Sequence, residues 1–182
     1  MHLWHDISPG PQTPDIVHAL IEIPKGSRNK YELDHEQGFI RLDRVLYSSL
    51  HYPSDYGVIP QTLWDDGDPL DVLVIVTEPT FPGCVIEARP IGVFHMKDRD
   101  DPDDKILAVP AKDPLFGHCE DLKDLPPHFL KEVQHFFTVY KDLEGARVKT
   151  LGWDPAAVAK KAILRAMKLY DQKVRPTLKR KK

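Results

Sequence analysis

Apolar positions along the chain follow two rhythms. From residue 17 to residue 109 they fall in short runs punctuated by Gly and Pro, as strands do. Val17 to Ile23 is one such run, ended by Pro24-Lys25-Gly26, and Lys30 to Asp34 is a second. Phe39 to Leu46 alternates, putting Ile40, Leu42, Arg44 and Leu46 on one strand face. Asp71 opens the unbroken run Val72-Leu73-Val74-Ile75-Val76, the pattern of a strand buried on both faces. Val85 to Phe94 and Ile106 to Val109 add further strand material. The rhythm then changes. Between Pro127 and Lys141, the residues Phe129, Val133, Phe136, Phe137 and Tyr140 share one helical face. Asp154-Pro155 has the form of an N-cap followed by Pro at the first helical position, ahead of an Ala- and Lys-rich helix from Ala156 to Tyr170. Residues 1–15, with Pro9, Pro11 and Pro14, predict an extended arm. The expected fold is α+β, a small β-barrel with two main helices of the C-terminal half packed outside, in a single domain spanning 1–172.

Composition changes this picture little. Hydrophobic residues make up 41% of the 182 and charged residues 29%, a balance that supports a packed core. The longest apolar run, Val72 to Val76, is far too short to span a membrane, and Met1 to Asp6 lacks the features of a signal peptide. Cys84 and Cys119 stand apart with no C-x-x-C spacing, so a disulfide framework is not expected and a reducing cytoplasm is. Charge matters more. Residues 173–182 carry six basic side chains and no acid, and predict a solvated, disordered basic tail. Without it the body holds 19 basic against 28 acidic residues, a balance unsuited to non-specific nucleic-acid binding.

The candidate chemistry lies in the acids. Asp65-Asp66-Gly67-Asp68-Pro69-Leu70-Asp71 packs four carboxylates into seven residues. Two carboxylates ~5 Å apart repel by roughly 3 kcal/mol at an effective dielectric of ~20. An open loop lets water screen that repulsion, but Asp71 leads directly into an apolar strand. A divalent cation relieves it, and hard oxygens suit Mg²⁺, Mn²⁺ or Ca²⁺. An EF-hand is excluded, because counting from Asp66 puts Asp71 where Gly is required and Thr77 where Glu is required. A second acidic stretch, Asp98 to Asp104, lies between two predicted strands at the barrel rim. Lys30, Arg44 and Lys141 read either as rim residues with snorkelling stems or as phosphate ligands. Carboxylates for metal beside cations for phosphate suggest a metal–phosphate ligand. No P-loop, Rossmann glycine pattern or serine-nucleophile elbow is present.

Asp66-Gly67-Asp68-Pro69-Leu70-Asp71-Val72 resembles the signature of the soluble family I inorganic pyrophosphatases. Ile21-Glu22-Ile23-Pro24, Lys30-Tyr31-Glu32, Asp43-Arg44, Tyr52-Pro53, Asp55-Tyr56-Gly57, and His135-Phe136-Phe137 with Tyr140-Lys141-Asp142-Leu143-Glu144 follow in the family's order. The resemblance runs from about Val17 to about Lys168. It implies a five-stranded OB-like barrel and Mg²⁺-dependent hydrolysis of pyrophosphate to two orthophosphates, by a metal-activated water attacking in line without a covalent intermediate. Several Mg²⁺ ions per site are expected, with Mn²⁺ or Zn²⁺ as substitutes and Ca²⁺ as an inhibitor. By resemblance, Asp66, Asp71 and Asp103 are the primary metal ligands, and Asp98 serves ions arriving with substrate. Asp68 takes the proton of the attacking water. Lys30, Arg44, Tyr56, Tyr140 and Lys141 bind phosphate, while Glu22, Glu32 and Lys105 support the metals and the network. A homo-oligomer, a hexamer by preference, is expected, with the apolar face of the first late helix as its physical motive.

Three features depart from the pattern. The loop Glu144-Gly145-Ala146-Arg147 reads one residue short, so no loop lysine is carried over. Asp65 adds an acid beside the signature, and the tail has no counterpart. A single-strand nucleic-acid-binding barrel and a catalytically inert relative stand as the alternatives.

Overall fold

The computed structural model describes residues 1–178. Among these described residues nine strands form: β1 (Val17–Ile23), β2 (Asn29–Leu33), β3 (Ile40–Val45), β4 (Asp55–Val58), β5 (Asp71–Val74), β6 (Val85–Asp98), β7 (Asp101–Pro102), β8 (Lys105–Pro110) and β9 (Val148–Pro155). Three α-helices accompany them: α1 (Pro127–Val139), α2 (Ala156–Lys173) and α3 (Arg175–Leu178). Strands β1, β4, β5, β8 and β6 pair in that order, and β6 pairs back onto β1, closing a ring of five. Closure removes the open sheet edges. Only β5 and β8 run parallel. The OB-like α+β barrel expected from the resemblance is therefore the fold. Strand β9 lengthens the sheet beyond β6, and β2–β3 form a separate hairpin.

The run beginning at Val72 is buried on both faces, as its pattern requires. Leu73, Leu107 and Phe94 pack in a cluster with Val133, Phe136 and Phe137 of α1. Val72, Val74, Ile106 and Ala108 pack in another with Ala159, Ile163 and Ala166 of α2. The α1 face expected to drive oligomerisation is thus covered within the chain, and the physical motive given for a hexamer is withdrawn.

Four other expectations are corrected. Residues 1–15 are not an extended arm. They form turns that dock Trp4, which is 6% exposed and donates from its indole nitrogen to the Thr62 carbonyl at 2.9 Å. Asp154 does not cap α2. It belongs to β9, bonds His95, and leaves Pro155 at the cap position. Leu42 does not share a face with Arg44 and Leu46. Asp43 is an extra residue in the β2–β3 ladder, so Leu42 is exposed and Leu46 buried. Finally, the start of the expected disordered tail is ordered: Lys173 ends α2, Val174 turns, Arg175–Leu178 form α3, and Arg175 pairs with Asp171. The remainder, 179–182, lies outside the described residues.

Gly57 shows how tightly the barrel closes. A Cβ there meets the Leu20 carbonyl oxygen of the paired strand at 1.9 Å. That obstacle is backbone and cannot turn aside. Gly57→Ala is expected to cost ~3 kcal/mol and lower the melting temperature by about 10 °C. A melting curve within about 2 °C of the parent would contradict this close approach.

Candidate active site

The barrel, the hairpin and the end of α1 enclose a cavity of about 940 Å³. All thirteen candidate residues line it: Glu22, Lys30, Glu32, Arg44, Tyr56, Asp66, Asp68, Asp71, Asp98, Asp103, Lys105, Tyr140 and Lys141. At its centre is a side chain that the sequence ranked only as supporting. Lys105 is 1% exposed, and its ammonium lies 2.8 Å from Asp71 Oδ2, 2.8 Å from Asp103 Oδ1 and 3.2 Å from the Tyr56 hydroxyl. The parallel β5–β8 pairing sets Asp71 and Lys105 opposite each other. The Tyr56 hydroxyl donates to Asp71 as well.

Two bulges aim further groups inward. Ile21 pairs with Gly57 and Ile23 with Tyr56, leaving Glu22 as the extra residue of β1. Glu22 is buried, and its carboxylate accepts from the Leu33 amide at 2.7 Å. On β3 the bulge at Asp43 precedes Arg44, whose Nε and Nη2 reach the two oxygens of Glu144 at 3.1 and 2.9 Å. Arg44 pairs with Asp43 too, Lys30 with Glu32 and, at 3.4 Å, with Asp43, and Lys141 with Asp98. Every cation of the resemblance set thus rests against a carboxylate. The sequence missed Asp43 and Glu144 as partners of Arg44. It also missed His35, whose Nδ1 lies 3.4 Å from Asp68 Oδ1 at the exposed side of the cavity. The unexpected Asp65 is explained outside the cavity. It binds Arg165, which stacks over Trp64 and ties the acidic loop to α2.

Burial sets the protonation of the inner acids. It pushes the Glu22 carboxyl up to about 8, with the nearby Asp71 charge adding to the effect. It pushes Asp71 up to about 6, despite the pull of Lys105. Burial also works against charge on Asp103, but the Lys105 ammonium outweighs it and holds that carboxyl below the usual range. The same two acids hold the Lys105 ammonium charged, well above its ordinary value, against the cost of burial. Burial raises the Tyr56 and Tyr140 hydroxyls, so both remain neutral donors at physiological pH.

The donor set fits a hard divalent cation. Asp66, Asp71, Asp98 and Asp103 offer only carboxylate oxygens, and Asp98 Oδ1 is buried without a hydrogen-bond partner. Among the described residues no three His, Cys, Asp or Glu side chains already close around one point. Between Asp71 and Asp103 the Lys105 ammonium supplies the positive charge.

The family model described as inorganic pyrophosphatase matches residues 19–171. An inorganic pyrophosphatase of Haloferax volcanii is 53% identical over 173 residues, which cover 94% of this chain and 98% of that protein. Soluble inorganic pyrophosphatase 1 of Arabidopsis thaliana is 48% identical over 179 residues, covering 98% and 84%. The crystal structure of inorganic pyrophosphatase from Thermus thermophilus aligns with a TM-score of 0.90 at 42% identity, covering 94% of this chain and 99% of that one.

The raised Glu22 carboxyl predicts a pH dependence. Folded chains retain a proton on Glu22 up to about pH 8, whereas unfolded chains release it near pH 4. The folded state binds more protons in between, so its stability falls as pH rises. Between pH 6.5 and 8 the metal-free protein should lose on the order of 1–2 kcal/mol, read as a falling melting temperature. His5, pushed down to about 4 chiefly by burial, is neutral in the folded chain across this window, and the proton its unfolded form still sheds near pH 6.5 offsets only about 0.4 kcal/mol of the fall. Glu22→Gln should make the fall clearly shallower, the Asp66 carboxyl, pushed up to about 7 chiefly by burial, keeping a smaller slope of the same sign. An equally steep fall in that variant would refute the assignment.

Proposed function

The chain belongs to the inorganic pyrophosphatase family and hydrolyses pyrophosphate to phosphate, and we propose that the cavity around Lys105 is where it does so, with Mg²⁺ as the preferred ion. The observation that carries this reading is the gathering, in one cavity, of hard carboxylates and of cations suited to phosphate. Membership of the family displaces the nucleic-acid-binding alternative.

Divalent ions held by Asp66, Asp71, Asp103 and Asp98 would supply positive charge, neutralising phosphate oxygens and acidifying water. The chain's own groups would do the rest. Asp68, exposed at the cavity and unclaimed by Lys105, accepts the proton of the attacking water. Arg44 and Lys30, swung from Glu144, Asp43 and Glu32, bind phosphate oxygens, Arg44 through its planar fork and Lys30 as a point charge. Tyr56 and Tyr140 donate neutral hydroxyls, and Lys141 adds charge as it leaves Asp98. These contacts strengthen as charge gathers on the leaving phosphate. Glu22 and Glu32 orient the network behind the ligands. Of the carboxylates so vacated, Asp98 would pass from Lys141 to an incoming ion.

Unpaired Cys84 and Cys119 suit a reducing cytoplasm. Among the described residues no helix is long and apolar enough to cross a membrane. A homohexamer is retained as the assembly. With the α1 face internal, its contacts fall to exposed apolar side chains elsewhere, such as Leu151, Leu164 or Phe81. Light scattering at micromolar concentration should give a multiple of the 20.8 kDa chain, and a monomer would exclude it.

Phosphate release from pyrophosphate should require a divalent ion, be best with Mg²⁺, stop in excess EDTA, and be inhibited by Ca²⁺, whose looser geometry disorders the site. Turnover unchanged in EDTA would sink the metal assignment. Asp71→Asn should stay folded and lose at least ~3 kcal/mol of barrier lowering, more than about a hundredfold in kcat. Asp68→Asn should be slow too, yet bind Mg²⁺ nearly as tightly as the parent, measured by calorimetry. Equal loss of metal affinity in both variants would assign Asp68 to the ions instead.

A further inference from the structure

A second cavity of about 360 Å³ is lined by Lys97, Arg99, Asp100, Arg147, Val148 and Lys149, four cations against one acid. Its cations are held close by the backbone. The β6–β9 ladder sets Lys97 directly opposite Lys149. Like charges so placed oppose strand pairing, which makes this an odd place for two lysines unless something anionic lies over them. Arg99 and Asp100 follow at the end of β6 with φ of 49° and 76°, and the Arg99 amide faces the Arg147 carbonyl at 3.5 Å. Arg99 and Arg147 are thereby held beside the lysine pair, and both line the same cavity.

The contrast with the catalytic cavity is sharp. There, Lys30, Arg44, Lys105 and Lys141 each sit on a carboxylate. Here, among the described residues, none of the four cations has an acid within ion-pair distance. Against an acidic body such a patch draws anions. The two cavities also meet, because Arg99 lines both.

We propose that Lys97, Arg99, Arg147 and Lys149 form a second anion site, adjoining the catalytic cavity at Arg99, for a phosphate anion carrying two or more charges. Arg forks match phosphoryl oxygens, and the lysines add charge without demanding a fixed geometry. The choice of phosphate over other anions rests on the pyrophosphatase reading, since the adjoining cavity consumes pyrophosphate and yields orthophosphate. An anion held at Arg99 is either substrate about to enter or product leaving.

The test uses full-length protein in EDTA at constant ionic strength. Equilibrium dialysis with labelled orthophosphate, and separately with imidodiphosphate as an unhydrolysed pyrophosphate analogue, counts anions bound per chain. Lys97→Gln with Lys149→Gln should lose one bound anion per chain. Lys112→Gln with Lys160→Gln, which removes two surface lysines paired elsewhere with Glu87 and Asp15, should lose none. Kcat for pyrophosphate in Mg²⁺ should survive in both. Tighter orthophosphate binding identifies a product site and tighter imidodiphosphate binding a substrate site. An unchanged count in the Lys97/Lys149 variant overturns the proposal. So does a count that falls together with kcat, because the lost anion is then the catalytic one. Should the double variant fail to fold, acetylation of the parent decides. Either anion should slow modification of Lys97 and Lys149 at least threefold relative to Lys112, as read by peptide mass spectrometry. Equal rates, or equal protection by chloride or by a single-stranded oligonucleotide, refute a phosphate site. Parent protein that binds the anion without releasing phosphate from pyrophosphate would strike the catalytic reading and leave the anion count standing.

Discussion

A buried ammonium governs the site. Lys105 is shared by Asp71 and Asp103, and no other cation lies as deep in the cavity. At 2.8 Å and an effective dielectric of ~20, Coulomb attraction to one carboxylate is about 6 kcal/mol, set against the cost of taking the charges out of water. One cation between two anions still leaves a negative balance. Burial makes that balance costly, so protons are held: desolvation pushes the Asp71 carboxyl up to about 6 against the pull of Lys105, and desolvation with the nearby Asp71 charge pushes Glu22 up to about 8. A second positive charge removes the need for those protons. The affinity for cations is therefore built into the barrel wall by the amount of carboxylate charge that Lys105 leaves unpaired.

Strand register makes this balance possible. Asp71 opens β5 and Lys105 opens β8, and the parallel ladder holds them as direct partners. A slip of one residue would turn each side chain to the opposite face and expel the ammonium. The hydrophobic alternation beyond them prevents that slip. Leu73 and Leu107 face α1 while Val72 and Ile106 face α2, so the two helices clamp the register from both sides. Core packing and charge placement thus depend on the same pairing.

Much of this was legible in the sequence where one rule acted alone. The ends of β1 and the start of α1 and α2 follow from periodicity and proline, and the signature acids marked the cavity. What escaped involves exceptions to periodicity. Glu22 and Arg44 are aimed by bulges, and a bulge has no mark in an alternating pattern. β4 is four residues long and contains Gly57, so it resembles a turn, and β9 mixes half-buried and exposed positions around Gly152. The Arg44–Glu144 clamp joins residues 100 apart, a contact that only the folded chain creates. Lys105 was named but undervalued, because its weight comes from burial, and nothing beside Asp103 and Asp104 signals that a lysine there is sealed from water.

The two basic regions also differ in a way that bears on how an anion reaches a site rich in acid. In the cavity around Lys105 the cations suited to phosphate are already neutralised by Glu32, Asp43, Glu144 and Asp98, so a bare polyanion approaching them meets little net attraction. On the reading proposed above it arrives with divalent ions, whose charge offsets the acids around it. The ribbon formed by Lys97 and Lys149 carries no such neutralisation and stands open at the neighbouring rim. Long-range attraction and tight binding are thus assigned to different residues. The first needs unpaired charge near solvent, and the second needs charge released only when ions and substrate arrive together.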